Sequence, residues 1–142
     1  MTGGPPPSEV LVDANVLLRL FTGKPVAQAK AAQVLMQRAD DGDVRLRVCP
    51  VVVAEVVWVL TSYYEQPPRL VADTLTAFLS ADGLVIEEGL QVIAALDTMA
   101  TTGVDFIDAY LAHRARLAQS SIASFDRDFD TLDVERLALE PS

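Results

Sequence analysis

Apolar positions along the chain fall into short runs and helical stripes that take turns. Glu9 to Val12 is a short apolar run that closes on Asp13, and it predicts a buried strand. Asn15 to Phe21 predicts a turn or two of helix. Pro25 to Asp40 is alanine-rich with helical spacing, and Asp40-Asp41-Gly42-Asp43 ends it. Val44 to Cys49 alternates as a strand does, and Pro50 stands where a helix can start. Val51 to Tyr63 is predicted helical, although its valines would also suit a strand. Beyond the break at Pro67-Pro68, helical segments over Arg69–Ala81, Leu90–Thr101 and Asp105–Ala118 alternate with strands over Leu84–Glu87 and Ser121–Phe125. The acidic loop Asp126-Arg127-Asp128 follows. This alternation predicts an α/β fold: one domain over 9–142, with a mostly parallel central sheet flanked by helices. Residues 1–8, with two glycines and three prolines, are expected to form a flexible tail.

Composition narrows the class. A chain of 142 residues suits one domain, and its balance of 51% hydrophobic and 22% charged residues is that of an ordered globular protein. The single cysteine, Cys49, excludes an internal disulfide and suits a reducing cytoplasm. No export signal is read at the start, and the run Val51–Leu60 is too short for a membrane span and interrupted by Glu55, so a cytoplasmic location is expected. The net charge of -9 argues against a plain nucleic-acid binder, which grips phosphate with Lys and Arg. It argues less against an enzyme that meets its substrate through bound cations, and it favours a basic protein partner.

The chemistry lies in the acids. Asp13 follows an apolar strand, at the sheet edge where α/β proteins bind ligands; a helix N-cap is the alternative reading. Glu55 sits in Val51-Val-Val-Ala-Glu-Val-Val-Trp-Val-Leu60 with no Lys or Arg within a turn or two. It is expected to be buried, and then paired with a distant arginine such as Arg19 or Arg45, protonated, or bound to a cation. Asp105 and Asp108 share a helix face; Asp105 also reads as an N-cap, whereas Asp108 points with Leu111, Ala112 and Ala115 toward the packed side. Asp126 and Asp128 follow the last predicted strand, where solvated turn residues are common. Taken together, these acids would meet at one sheet edge. Clustered carboxylates repel unless a metal neutralises them, and oxygen-only ligation selects Mg²⁺ or Mn²⁺. One His and one Cys cannot build a zinc site.

The segments Leu11–Leu20, Val52–Leu60, Val104–Ala112 and Ser124–Phe129 resemble the PIN-domain ribonucleases, and are most similar to the VapC toxins of bacterial toxin–antitoxin pairs. The likeness covers nearly the whole chain after the tail, in the family's order. It implies cleavage of RNA by a pocket holding one or two Mg²⁺ or Mn²⁺ ions, inhibition by a cognate antitoxin, and a homodimer. Carried over by position, Asp13, Glu55, Asp108 and Asp126 match the core acids, with Asp13, Asp108 and Asp126 as metal ligands. Asp105 and Asp128 match accompanying acids, and Asn15 and Ser124 match polar neighbours.

Three other readings compete. A haloacid-dehalogenase-type phosphatase would need two aspartates two apart after the first strand, and Asp13-Ala14-Asn15 lacks the second. A phosphoacceptor receiver domain would need an aspartate after a middle strand and a late lysine; here the middle acid is Glu55, and the lysines are Lys24 and Lys30. A non-catalytic protein-binding module would need none of these acids. His113, beside the helix acids, reads as a helix-surface residue rather than a general base, and Trp58 and Tyr63-Tyr64 read as packing residues.

Overall fold

The structure is a computed structural model, and it describes residues 7–139. The elements run β1 (Ser8–Leu11), α1 (Ala14–Thr22), α2 (Val26–Asp40), β2 (Val44–Val48), α3 (Pro50–Trp58) continuing into a π-helical turn (Val59–Tyr63), α4 (Pro68–Leu79), β3 (Leu84–Ile86), α5 (Gly89–Thr102), α6 (Phe106–Ala118), β4 (Ile122–Ser124), a 3₁₀ turn (Arg127–Thr131) and β5 (Arg136–Ala138). The fold is a mixed α/β domain, with six α-helices and parallel strands among the described residues. The tail expected over residues 1–8 overlaps β1 at Ser8, and its first six residues lie outside the described residues.

Strands β1, β2 and β3 form one parallel sheet in that order; β4 and β5 form a second, two-stranded parallel sheet. The expected single sheet is therefore divided, and β5 was not anticipated, because three residues among charged neighbours carry no alternating pattern. Strand β1 also departs from the expectation of burial. Val10 is 36% and Leu11 67% exposed; β1 pairs with β2 along one edge, and among the described residues no strand covers the other.

The core lies between this sheet and the helices. In β2, Val44, Leu46 and Val48 are buried on one face. Helix α3 contributes Val53, Val56 and Val57, a helical stripe that settles its strand-like composition in favour of helix. Leu17, Val71, Leu75, Val92, Leu96 and Phe106 complete it. A second, smaller cluster of Ala112, Phe129 and Leu132 seats the β4–β5 unit on α6. Gly83 brings β3 in: its φ of +83° is left-handed, and an added Cβ would stand 2.5 Å from the Ala39 carbonyl oxygen at the end of α2. None of the helices is long and apolar enough to cross a membrane, among the described residues.

Candidate metal centre

Strand pairing runs just past β1, where the Val12 N–H donates to the Arg47 carbonyl at 3.1 Å and delivers Asp13 to the strand's C-terminal end. Asp13 occupies the N-cap position of α1 with φ -79° and ψ 152°, yet its side chain accepts no capping hydrogen bond. The cap reading therefore does not account for its carboxylate, which is exposed beside the equally exposed Asn15. Helix α1 packs on α3, and α3 packs on α6.

Glu55 corrects an expectation. It is exposed rather than buried, and it makes no ion pair with Arg19 or Arg45. The reason is angular. Val53, Val56, Val57 and Leu60 take the core side of α3, which turns Glu55 outward with Val51 and Trp58. Trp58, Tyr63 and Tyr64 are likewise exposed, at 62%, 75% and 46%, so they do not pack in the core of this chain.

Asp105 and Asp108 divide their duties. Asp105 caps α6, its Oδ2 accepting from the Ile107 N–H at 3.1 Å. Asp108 lies in the first turn of α6, half-buried and free of that task. Downstream, the Ser124 hydroxyl accepts from the Asp126 N–H at 2.9 Å, and Asp126 Oδ1 accepts from the Asp128 N–H at 2.9 Å. These two bonds fold the loop into the 3₁₀ turn and bring Asp128 back beside Asp126. Arg136, in the unanticipated β5, fastens the same loop. Its Nη1 donates to the Ser124 carbonyl at 3.1 Å and its Nε to Asp130 at 2.8 Å. No spacing in the sequence points to Arg136, because its role depends on the β4–β5 pairing.

The outcome is a tight group. Asp108, Asp126 and Asp128 each offer a carboxylate oxygen, and these oxygens lie within 4.8 Å of one another. Asp13 and Glu55 belong to no such group among the described residues, whereas Asp128, expected only as an accompanying acid, does. None of the three is in an ion pair among the described residues. Partial burial pushes the Asp108 carboxyl above the usual range, and the negative charges of Asp105, Asp126 and Asp128 push it further. This is the electrostatic condition that a hard divalent cation relieves, and carboxylate oxygens alone are the donor set such a cation prefers.

Several basic residues near the motifs have structural work. Arg114 holds Glu88 and Tyr110, and Arg116 lies against His113 and reaches Asp133 at 3.4 Å. The His113 Nδ1 faces the Arg116 guanidinium, and its Nε2 lies in hydrogen-bond distance of the Thr98 hydroxyl, at 2.9 Å. His113 is thus a strut between α5 and α6.

Among curated proteins, none is similar enough to match. A family model does match, that of the PIN domain, over residues 10–135. That span holds Asp13, Glu55, Asp105, Asp108, Asp126 and Asp128, and the chain belongs to the PIN domain family, with the nuclease-type fold that membership carries.

Proposed function

We propose that this protein is a Mg²⁺- or Mn²⁺-dependent endoribonuclease and the toxin of a VapBC-type toxin–antitoxin pair. The observation that carries the reading is the meeting of Asp108, Asp126 and Asp128 within 4.8 Å in a chain of the PIN family, whose members typically use divalent metals. Asp108 and Asp126 would hold the ion together with Asp13, and Asp128 stands close enough to share that duty. Bound there, the cation would lower the pKa of a water molecule and stabilise charge developing on the scissile phosphate.

The chain's own residues supply the rest. Asp105 spends its carboxylate on the α6 cap and so fixes the turn that presents Asp108. Ser124 and Arg136 hold the loop that presents Asp126 and Asp128. Glu55, exposed on α3, is free to orient water. Arg19, Lys24 and Arg127 lie near the motifs and are in no ion pair among the described residues, so they would be available to meet backbone phosphates. The exposed Val51, Trp58 and Tyr63 along α3 and its continuation are apolar side chains that an antitoxin or a second copy would cover.

The test is cleavage of single-stranded RNA by the purified protein with Mn²⁺ against the same reaction in EDTA. Cleavage is expected only with the ion, and Asp108→Asn is expected to abolish it while the protein stays folded. Metal-independent cleavage, or full activity of that variant, would overturn the assignment. Binding of a protein partner with no cleavage of any RNA would favour the non-catalytic module.

A further inference from the structure

We infer that Phe125 is a stacking platform for an unpaired base of the RNA, set beside the acidic group, with Arg127 meeting the adjoining phosphate; this rests on the ribonuclease reading above. Among the described residues, the exposed aromatic side chains are Trp58, Tyr63, Tyr64 and Phe125. Phe125, 74% exposed, is the one joined directly to a member of the group, since Asp126 follows it in the chain. The two phenylalanines of Phe125-Asp-Arg-Asp-Phe129 have separate fates. Phe129 is buried with Ala112 and Leu132, and Ile122 packs against that cluster. Along β4, Ile122 and Ser124 are half-buried and Ala123 is exposed; Phe125 continues the outer side of this alternation. Its ring pairs with no other ring among the described residues.

The ring is held ready. Peptide groups on both sides of Phe125 are tied: the Ser124 carbonyl accepts from Arg136 Nη1 at 3.1 Å, and the Asp126 N–H donates to Ser124 Oγ at 2.9 Å. Contact then has only the two side-chain torsions of Phe125 left to fix, which keeps the cost of ordering small. Consecutive Cα atoms are about 3.8 Å apart, so a base on this ring belongs to a nucleotide at or next to the phosphate that would meet the metal. Arg127 stands on the other side of Asp126, exposed and in no ion pair among the described residues. Its guanidinium gives an acidic molecule a positive charge for the neighbouring phosphate. An aromatic face combined with a backbone-gripping cation is how proteins hold single strands, and it accepts any base because every base has a π-face. A duplex covers those faces, so the combination selects unpaired RNA without reading its sequence.

Two measurements test the inference. In the first, cleavage of a single-stranded RNA with Mn²⁺ is followed for the parent protein, for Phe125→Leu, which stays apolar but has no π-face, and for Phe125→Trp. KM is expected to rise on the order of tenfold in the leucine variant and to return to the parent value or below in the tryptophan variant. The rise in melting temperature on adding Mn²⁺ is expected to be the same in all three, which separates stacking from support of the acidic loop. An unaltered KM in Phe125→Leu, no recovery in Phe125→Trp, or a smaller response to Mn²⁺ in either overturns the platform and leaves the nuclease standing. In the second, Trp58→Phe with Phe125→Trp moves the chain's one tryptophan to position 125, and Asp108→Asn is added to stop cleavage. Its fluorescence is titrated with a single-stranded oligoribonucleotide and with the duplex of the same sequence. Quenching is expected at concentrations about tenfold lower for the single strand. Equal response to both, or none, overturns the platform. If no RNA is cleaved at all, the ribonuclease reading falls and this titration alone decides the role of the ring.

Discussion

Replacing Asp108 by Asn removes one charge from the acidic group and is expected to make the metal-free protein more stable, not less. At 4.8 Å, the outer limit of the oxygen separations, two unit charges repel by about 0.9 kcal/mol at the permittivity of water and about 3.5 kcal/mol at an effective value near 20. Asp126 and Asp128 are exposed, so the lower figure governs, and relief of both pairs contributes about 1–2 kcal/mol. Against this stands the position of Asp108 in the first turn of α6, where its charge is favoured by the helix dipole by about 0.3–1 kcal/mol. The repulsion is the larger effect, and the net gain of about 1 kcal/mol corresponds to a melting temperature about 2–4 °C higher. The assay is thermal unfolding of both proteins in EDTA and again in Mn²⁺. With the ion the order reverses. The parent protein gains about 2.7 kcal/mol when the ion stands at a hundred times its dissociation constant, and the variant, lacking a ligand, gains much less. If the variant melts lower in EDTA, or if Mn²⁺ raises both proteins equally, the three carboxylates do not repel one another around a shared cation site and the reasoning fails.

Four further outcomes follow from single features. Asp105→Ala is expected to cost about 1 kcal/mol through loss of the α6 cap, and in denaturant titrations the loss should be smaller without Mn²⁺, where the substitution also relieves repulsion of Asp108. Gly83→Ala combines a left-handed backbone with a Cβ driven against the Ala39 carbonyl; it is expected to destabilise the fold by more than about 1 kcal/mol in the same titrations. His113 is held below its ordinary pKa by burial and then by Arg116, so the unfolded chain takes up its proton first as pH falls. Its contribution to stability is therefore present above about pH 6.5 and is lost as pH falls below that value, a slope that a His113→Gln protein should lack in melting curves taken across the range. Asp108, raised rather than lowered, acts in the opposite sense within the carboxylate range: its protonation stabilises the metal-free fold as pH falls.

Much of this architecture was legible in the sequence because helices and parallel strands carry their own periodicities. The helical spacing of Pro25–Asp40 and Asp105–Ala118, and the interruptions at Pro67-Pro68 and Gly103, reappear within a residue or two in the fold. What failed did so where a single strand of sequence carries no information about its neighbours. Leu11 reads as core, but its exposure is decided by which strand lies alongside β1. Glu55 is surrounded by valines, and only the rotational phase of α3 shows that it leaves the core. The gathering of Asp108 with Asp126 could be expected from pattern and family likeness, but the entry of Asp128 depends on one hydrogen bond, from its own amide to Asp126.

The division of the interior into two unequal parts has a consequence for how such a centre would be kept in order. Two of the three clustered acids ride on the segment after α6, which is anchored by Ala112, Phe129 and Leu132 rather than by the main body of the protein. So small an anchorage makes that segment the first to open when the native state fluctuates, with amide exchange ahead of the central strands. A cation gripped by Asp108 on one side and Asp126 on the other would act as a latch between the parts, and its arrival should slow exchange in the 122–138 stretch more than anywhere else in the chain.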